Sequence, residues 1–121
     1  MIVLLGIVYF GFSYRDVYRR EPTLDEWISV YSFQYNVDKE LVRDIIRCES
    51  GFNSEAINTK AVRGQDIGIW QINTYYWEEE LLKQGFNIHD PKDNLEAGFY
   101  LLSKYGSKLW DWSKHCWLAD N

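Results

Sequence analysis

One amphipathic helix ending in a carboxylate constrains this chain more than any other feature. Asp38 is placed to cap it, Leu41, Ile45 and Glu49 recur one turn apart, Val42 and Ile46 form the adjoining stripe, and Gly51 stops it. Glu49 therefore sits on the apolar face at the helix's C-terminal end. Residues 52–73 then carry Asn, Ser, Gly and Thr, with one apolar alternation at Ile67, Ile69 and Gln71. A helical period gives way there to an irregular loop with a short hairpin or extended piece.

Helical patterns stand on both sides of that break. Thr23, with Glu26 three residues on, predicts a capping box and a helix to about Tyr35. Asn73 or Thr74 can cap a third helix through Tyr76 to Lys83, with Glu78 to Glu80 early, Lys83 late and Gly85 as the stop. Asp90-Pro91 opens a fourth, with Leu95, Phe99 and Leu102 as its stripe and Gly106 at its end. A short aromatic tail follows. The fold class expected is mainly α with α+β character: a small helical domain whose short β-hairpin or extended segment flanks a cleft.

At 121 residues the chain holds one domain. Aromatics make up 17%, including six Trp and nine Tyr, more than so small a core absorbs, so some rings are expected along a surface groove. Sugars and peptides fit such a groove. The net charge is −5, and setting aside Arg15, Arg19, Arg20 and Asp16 of the first 20 residues leaves −7, which argues against a nucleic-acid partner. Ile2 to Tyr14 is uncharged, about 20 Å as a helix against a hydrocarbon core of about 30 Å. Residues 1–20 thus read as an apolar leader, a signal peptide or membrane anchor working through residues 2–14, and residues 21–121 as the folded domain. No basic residue precedes the run and no small-residue cleavage site follows it, while the arginines after it favour a cytoplasmic C-terminal side, so a buried N-terminal helix stays open.

Cys48 and Cys116 are an even pair in a small chain of this kind, which favours a disulfide over two buried thiols. The tail tryptophans Trp110, Trp112 and Trp117 around Cys116 must dock somewhere. Zinc bound by Cys48, His89, His115 and Cys116 matches no standard ligand spacing, and neither metal nor cofactor is expected.

Glu49 is the residue with chemical promise. The helix C-terminus disfavours its charge and the apolar stripe withholds water, and both effects favour the protonated form that a general acid needs. Pairing with Arg43 or Arg47 is the competing role. Asp66 is a second carboxylate in reach, either a partner in catalysis or a turn residue accepting backbone hydrogen bonds. Gln71 and Asn73 alternate about Ile72 and should share one side of an extended segment, either binding sugar hydroxyl and acetamido groups or satisfying the loop. Trp70 and Trp77 either stack on sugar rings or belong to the core. His89 and His115 have no partnered spacing.

These residues carry a resemblance. Ile45-Ile46-Arg47-Cys48-Glu49-Ser50-Gly51-Phe52-Asn53, then Ala56-Ile57-Asn58, then Asp66-Ile67-Gly68-Ile69-Trp70-Gln71-Ile72-Asn73 resemble the core of lysozyme-like lytic transglycosylases. Gly85-Phe86 and the run from Asp90 to Gly98 with Tyr100-Leu101-Leu102 resemble that family's next helix, and the spacing of Glu49 to Asp66 also looks like c-type lysozyme. The resemblance implies cleavage of peptidoglycan glycan strands at MurNAc-β-1,4-GlcNAc bonds, with Glu49 as acid and base and Ser50, Gln71 and Asn73 along the groove. Asn58, Trp70 and Trp77 are the further substrate-binding candidates. It implies one catalytic glutamate and a 1,6-anhydro product, whereas the c-type likeness would give hydrolysis by Glu49 with Asp66; a glycan-binding module that does not cut is the third alternative. A monomer at the cell envelope, secreted or anchored outside the cytoplasm, is expected. One departure stands out: the family's Ala-rich helix with a Tyr-Asn pair is absent or replaced, because Tyr105-Gly106 leads into Trp110-Asp111-Trp112-Ser113-Lys114-His115-Cys116-Trp117.

Overall fold

The computed structural model describes residues 20–119, and the apolar leader lies largely outside them. Helix α1 spans Leu24–Tyr35 and opens with the expected box, Thr23 Oγ1 accepting from Glu26 N at 3.2 Å and Glu26 Oε1 from Thr23 N at 3.3 Å. It ends at Asn36 in the left-handed region. Helix α2 spans Lys39–Ser50, with Asp38 accepting from Glu40 N at 3.0 Å and left-handed Gly51 returning its N–H to Arg47 O.

Three two-residue strands follow, β1 (Ile57–Asn58), β2 (Asp66–Ile67) and β3 (Ile72–Asn73), in an antiparallel sheet of order β1-β2-β3. Asn58 lies opposite Asp66, and Asp66 opposite Asn73. So short a sheet has little ladder of its own, and side-chain amides brace it, as the site below shows.

Helix α3 spans Thr74–Lys83 and is capped by Asn73, whose Oδ1 accepts from Tyr75 N and Tyr76 N. Because it begins at Thr74, its acids fall beyond the first turn, and only the C-terminal end, at Lys83, has its dipole matched as expected. Gly85 N bonds Leu82 O and Phe86 N bonds Leu81 O, the pattern of a glycine-terminated helix. Helix α4 spans Pro91–Tyr105, with Pro at its start and Gly106 at its end. The tail forms a 3₁₀ segment, Ser107–Ser113, kinked at Trp110, and then a one-turn helix α5, Lys114–Trp117. Mainly α with a small sheet, the architecture matches the expected class.

The core gathers around α4, whose Leu95, Ala97, Phe99, Leu101 and Leu102 are buried, with Ile28 and Tyr31 from α1 and Val42, Ile45 and Ile46 from α2 packed in the same cluster. Trp70 is at its centre, edge-on to Phe99 at 5.4 Å and 5.0 Å from Trp110. A Cβ at Gly98 would overlap the Trp70 indole, so only glycine lets the hairpin turn seat on α4. Gly68, left-handed at φ +78, lies against buried Asn94, whose Nδ2 donates to Ile67 O and Ile88 O at 2.9 Å. Among the described residues no helix is long and apolar enough to cross a membrane.

Candidate active site

A cleft of about 920 Å³ runs between the small sheet and the tail. Its hairpin wall offers Asn58, Asp66, Gln71 and Asn73, its tail wall Trp110 and Trp112, and Glu49 lies along it. Trp77 lines it too, half-buried and 5.1 Å from the Tyr105 ring.

Glu49 reaches this place because α2 buries Ile45 and Ile46 one turn before it and Gly51 ends the helix just after. Its carboxyl is only partly open to solvent, and its proton affinity is raised above the usual glutamate range. Burial is the main cause; the Ser113 hydroxyl opposes it by hydrogen bonding, and the Asp66 charge adds to it. Ser113 Oγ donates to Glu49 Oε1 at 2.5 Å. Of the two arginines weighed as partners, Arg43 pairs with Asp25, and Arg47 lies 3.7 Å from Asp44.

Asp66 is bound on both oxygens, Oδ2 by Asn58 Nδ2 at 3.0 Å and Oδ1 by Asn73 Nδ2 at 2.9 Å. One carboxylate thereby bridges all three strands. Asn73 is equally committed, its Nδ2 also donating to Arg63 O at 2.8 Å while its Oδ1 caps α3. Gln71 is not in an extended segment: it closes the turn after β2 with a left-handed φ of 52°, and its Nε2 donates to Ala56 O and Gly68 O. Apolar alternation alone did not distinguish this tight turn from a strand.

Two candidates lie off the groove. Ser50 sits behind it, donating to Ile69 O at 2.7 Å and tying α2 to the hairpin turn. Trp70 has 0% exposure and spends its indole N–H on Leu95 O, so its face is closed to any ligand. Of the two roles open to it, the core is the one it fills. Cys48 and Cys116 are joined by a disulfide, which removes the zinc alternative built on them. His89 pairs with Glu78 at 3.1 Å on the surface. No group of three or more His, Cys, Asp or Glu side chains is placed to hold a metal among the described residues.

The family model described as Transglycosylase SLT domain matches residues 26–119. The chain belongs to this family. Membrane-bound lytic murein transglycosylase E of Buchnera aphidicola subsp. Baizongia pistaciae (strain Bp) is 31% identical over 90 residues, an alignment covering 68% of this chain and 41% of that relative. The chain thus matches less than half the length of this curated relative. No solved structure matches it.

Among the residues sequence reasoning missed in this SLT domain are Ser113, hydrogen-bonded to Glu49, and Trp112, which lines the cleft. Trp112 is 93% exposed at the cleft's edge. A signal for Ser113 was present: Trp110, Ser113 and Cys116 are spaced by three, the period at which a 3₁₀ turn superposes side chains. Once Cys116 is bonded to Cys48, Ser113 falls beside Glu49.

Proposed function

We propose that this SLT domain cleaves peptidoglycan glycan strands at MurNAc-β-1,4-GlcNAc bonds as a lytic transglycosylase with Glu49 as its single acid and base. The observation that carries the reading is the pairing of a half-buried Glu49, whose proton affinity is raised by burial, with an Asp66 whose two oxygens are already bound by amides. Glu49 gives its proton to the glycosidic oxygen as the C1–O bond breaks, and the bonding pair leaves with the GlcNAc 4-oxygen. The resulting carboxylate takes the proton of the muramoyl 6-hydroxyl as that oxygen bonds to C1. The proton returns to Glu49, no water is consumed, and the product is a 1,6-anhydro end. Asp66, with one amide donor on each oxygen, has a clear part in holding the groove wall.

One observation favours hydrolysis: Asp66 lies near enough to Glu49 for its charge to raise the glutamate's proton affinity. Mass analysis of released ends separates the two. Anhydro ends agree with the proposal, and new reducing ends in their place refute it. The exposed Trp112 face and the amide-lined hairpin wall suit sugar rings with acetamido groups.

Residues 1–20 are the proposed leader or anchor and residues 21–121 the catalytic domain, working as a monomer outside the cytoplasm at the cell envelope. The membrane-bound relative supports that placement. Cell fractionation and light scattering of the full chain check it, and a cytoplasmic pool or a stable dimer contradicts it.

A further inference from the structure

We infer that Ser113 is the positioning residue of Glu49: its hydroxyl holds Oε1, which leaves Oε2 to carry the transferable proton, and steadies the carboxylate after that proton has gone. This rests on the reading of Glu49 as acid and base.

The Ser113 hydroxyl has one hydrogen and two acceptors within reach, Glu49 Oε1 at 2.5 Å and Trp110 O at 3.1 Å. A charged carboxylate competes for that hydrogen far better than a neutral carbonyl, so the bond strengthens as Glu49 ionises. Burial alone would make Glu49 hold its proton more tightly and so release it less readily to the glycosidic oxygen in the first half of the reaction. The hydroxyl offsets that bias at the same carboxyl, since burial raises the proton affinity of Glu49 and the Ser113 hydrogen bond lowers it.

The serine is also fixed in place. Three residues before it, Trp110 is buried and its Nε1 donates to Trp70 O at 3.0 Å. Three residues after it, Cys116 is bonded to Cys48, the neighbour of Glu49 in α2. Trp117 Nε1 donates back to Trp110 O at 3.1 Å. Ser113 is thus clamped between two anchors, one of them covalent and attached beside the carboxylate it serves. The other charged groups of the cleft are Asp66 on β2, Lys60 and Arg63 in the β1–β2 loop, and Lys108 and Asp111 on the 3₁₀ segment. Changing Ser113 leaves all of them in place.

The test uses the whole protein with Ser113→Ala, Ser113→Thr and Ser113→Val, the last two alike in shape and different in the hydroxyl. The Glu49 carboxyl is titrated by ¹³C NMR, and kcat and KM on peptidoglycan are measured against pH. Ala and Val are expected to raise the Glu49 pKa, move the alkaline limb of activity to higher pH and lower kcat about tenfold to a hundredfold, with KM within about twofold. Thr is expected to restore both. If Ala disturbs the fold, Thr against Val still isolates the hydroxyl. A wild-type titration and kcat in Val overturns the inference, while an active Glu49→Gln overturns the reading beneath it.

Discussion

The two walls of the cleft are built by opposite means. The hairpin wall has strands of two residues and is held by amide side chains, with Asp66 bridging Asn58 and Asn73, and Asn73 in turn capping α3. The tail wall, a kinked 3₁₀ segment and one helical turn, is held in place by buried indoles and a disulfide. A polar network keeps the first wall hydrophilic while fixing its shape. Apolar burial and a covalent bond give the second its rigidity and leave Trp112 free to face solvent. Glu49 lies where they meet, its proton affinity raised mainly by burial, lowered by Ser113 on the tail side and raised a little further by Asp66 on the hairpin side.

Cutting the tail wall should have the largest effect. Cys48→Ala with Cys116→Ala removes a bridge across 68 residues and should cost about 4 kcal/mol through the freer unfolded chain, read as a lower thermal midpoint. A loss under about 1 kcal/mol would mean that the indoles alone secure the tail. The hairpin wall should yield less. Asp66→Asn keeps size but replaces one oxygen with a donor that faces an amide donor, and should cost about 1–3 kcal/mol. It also has a signed consequence for pH: without the Asp66 charge the Glu49 pKa drops, so the pool of protonated acid, and the activity that needs it, is lost at lower pH than in wild type. An alkaline limb that stays in place would show that the two carboxyls do not communicate. The smallest effect belongs to Trp112→Ala, which should leave stability within about 0.5 kcal/mol and raise KM roughly threefold to tenfold with little change in kcat. An unchanged KM would remove Trp112 from the groove.

The same contrast explains what was readable in the sequence. Helix punctuation was legible because its cause is local: the Thr23 box, the Asp38 and Asn73 caps, the left-handed Gly51 and the Asp90-Pro91 start each act within a turn. Glu49 and its apolar stripe followed from the helical period. Trp70 was ambiguous because an aromatic beside Gln71 suits a groove as well as a core, and its burial depends on Gly98, far along the chain. Gln71 read as extended because a tight turn and a strand share an alternating pattern over so few residues. The tail hid Ser113 because its period of three runs over only a few residues, and its position beside Glu49 depends on the bond from Cys116 to Cys48.

The most direct measurement is analysis of the ends released from peptidoglycan by wild type and by Glu49→Gln, at matched fold by circular dichroism. Wild type should release 1,6-anhydromuramoyl ends, and Glu49→Gln should lose at least about a hundredfold in rate while its thermal midpoint is kept or raised, since a buried carboxylate is relieved. Anhydro ends released by Glu49→Gln at the wild-type rate would contradict the assignment of Glu49 as the acid and base.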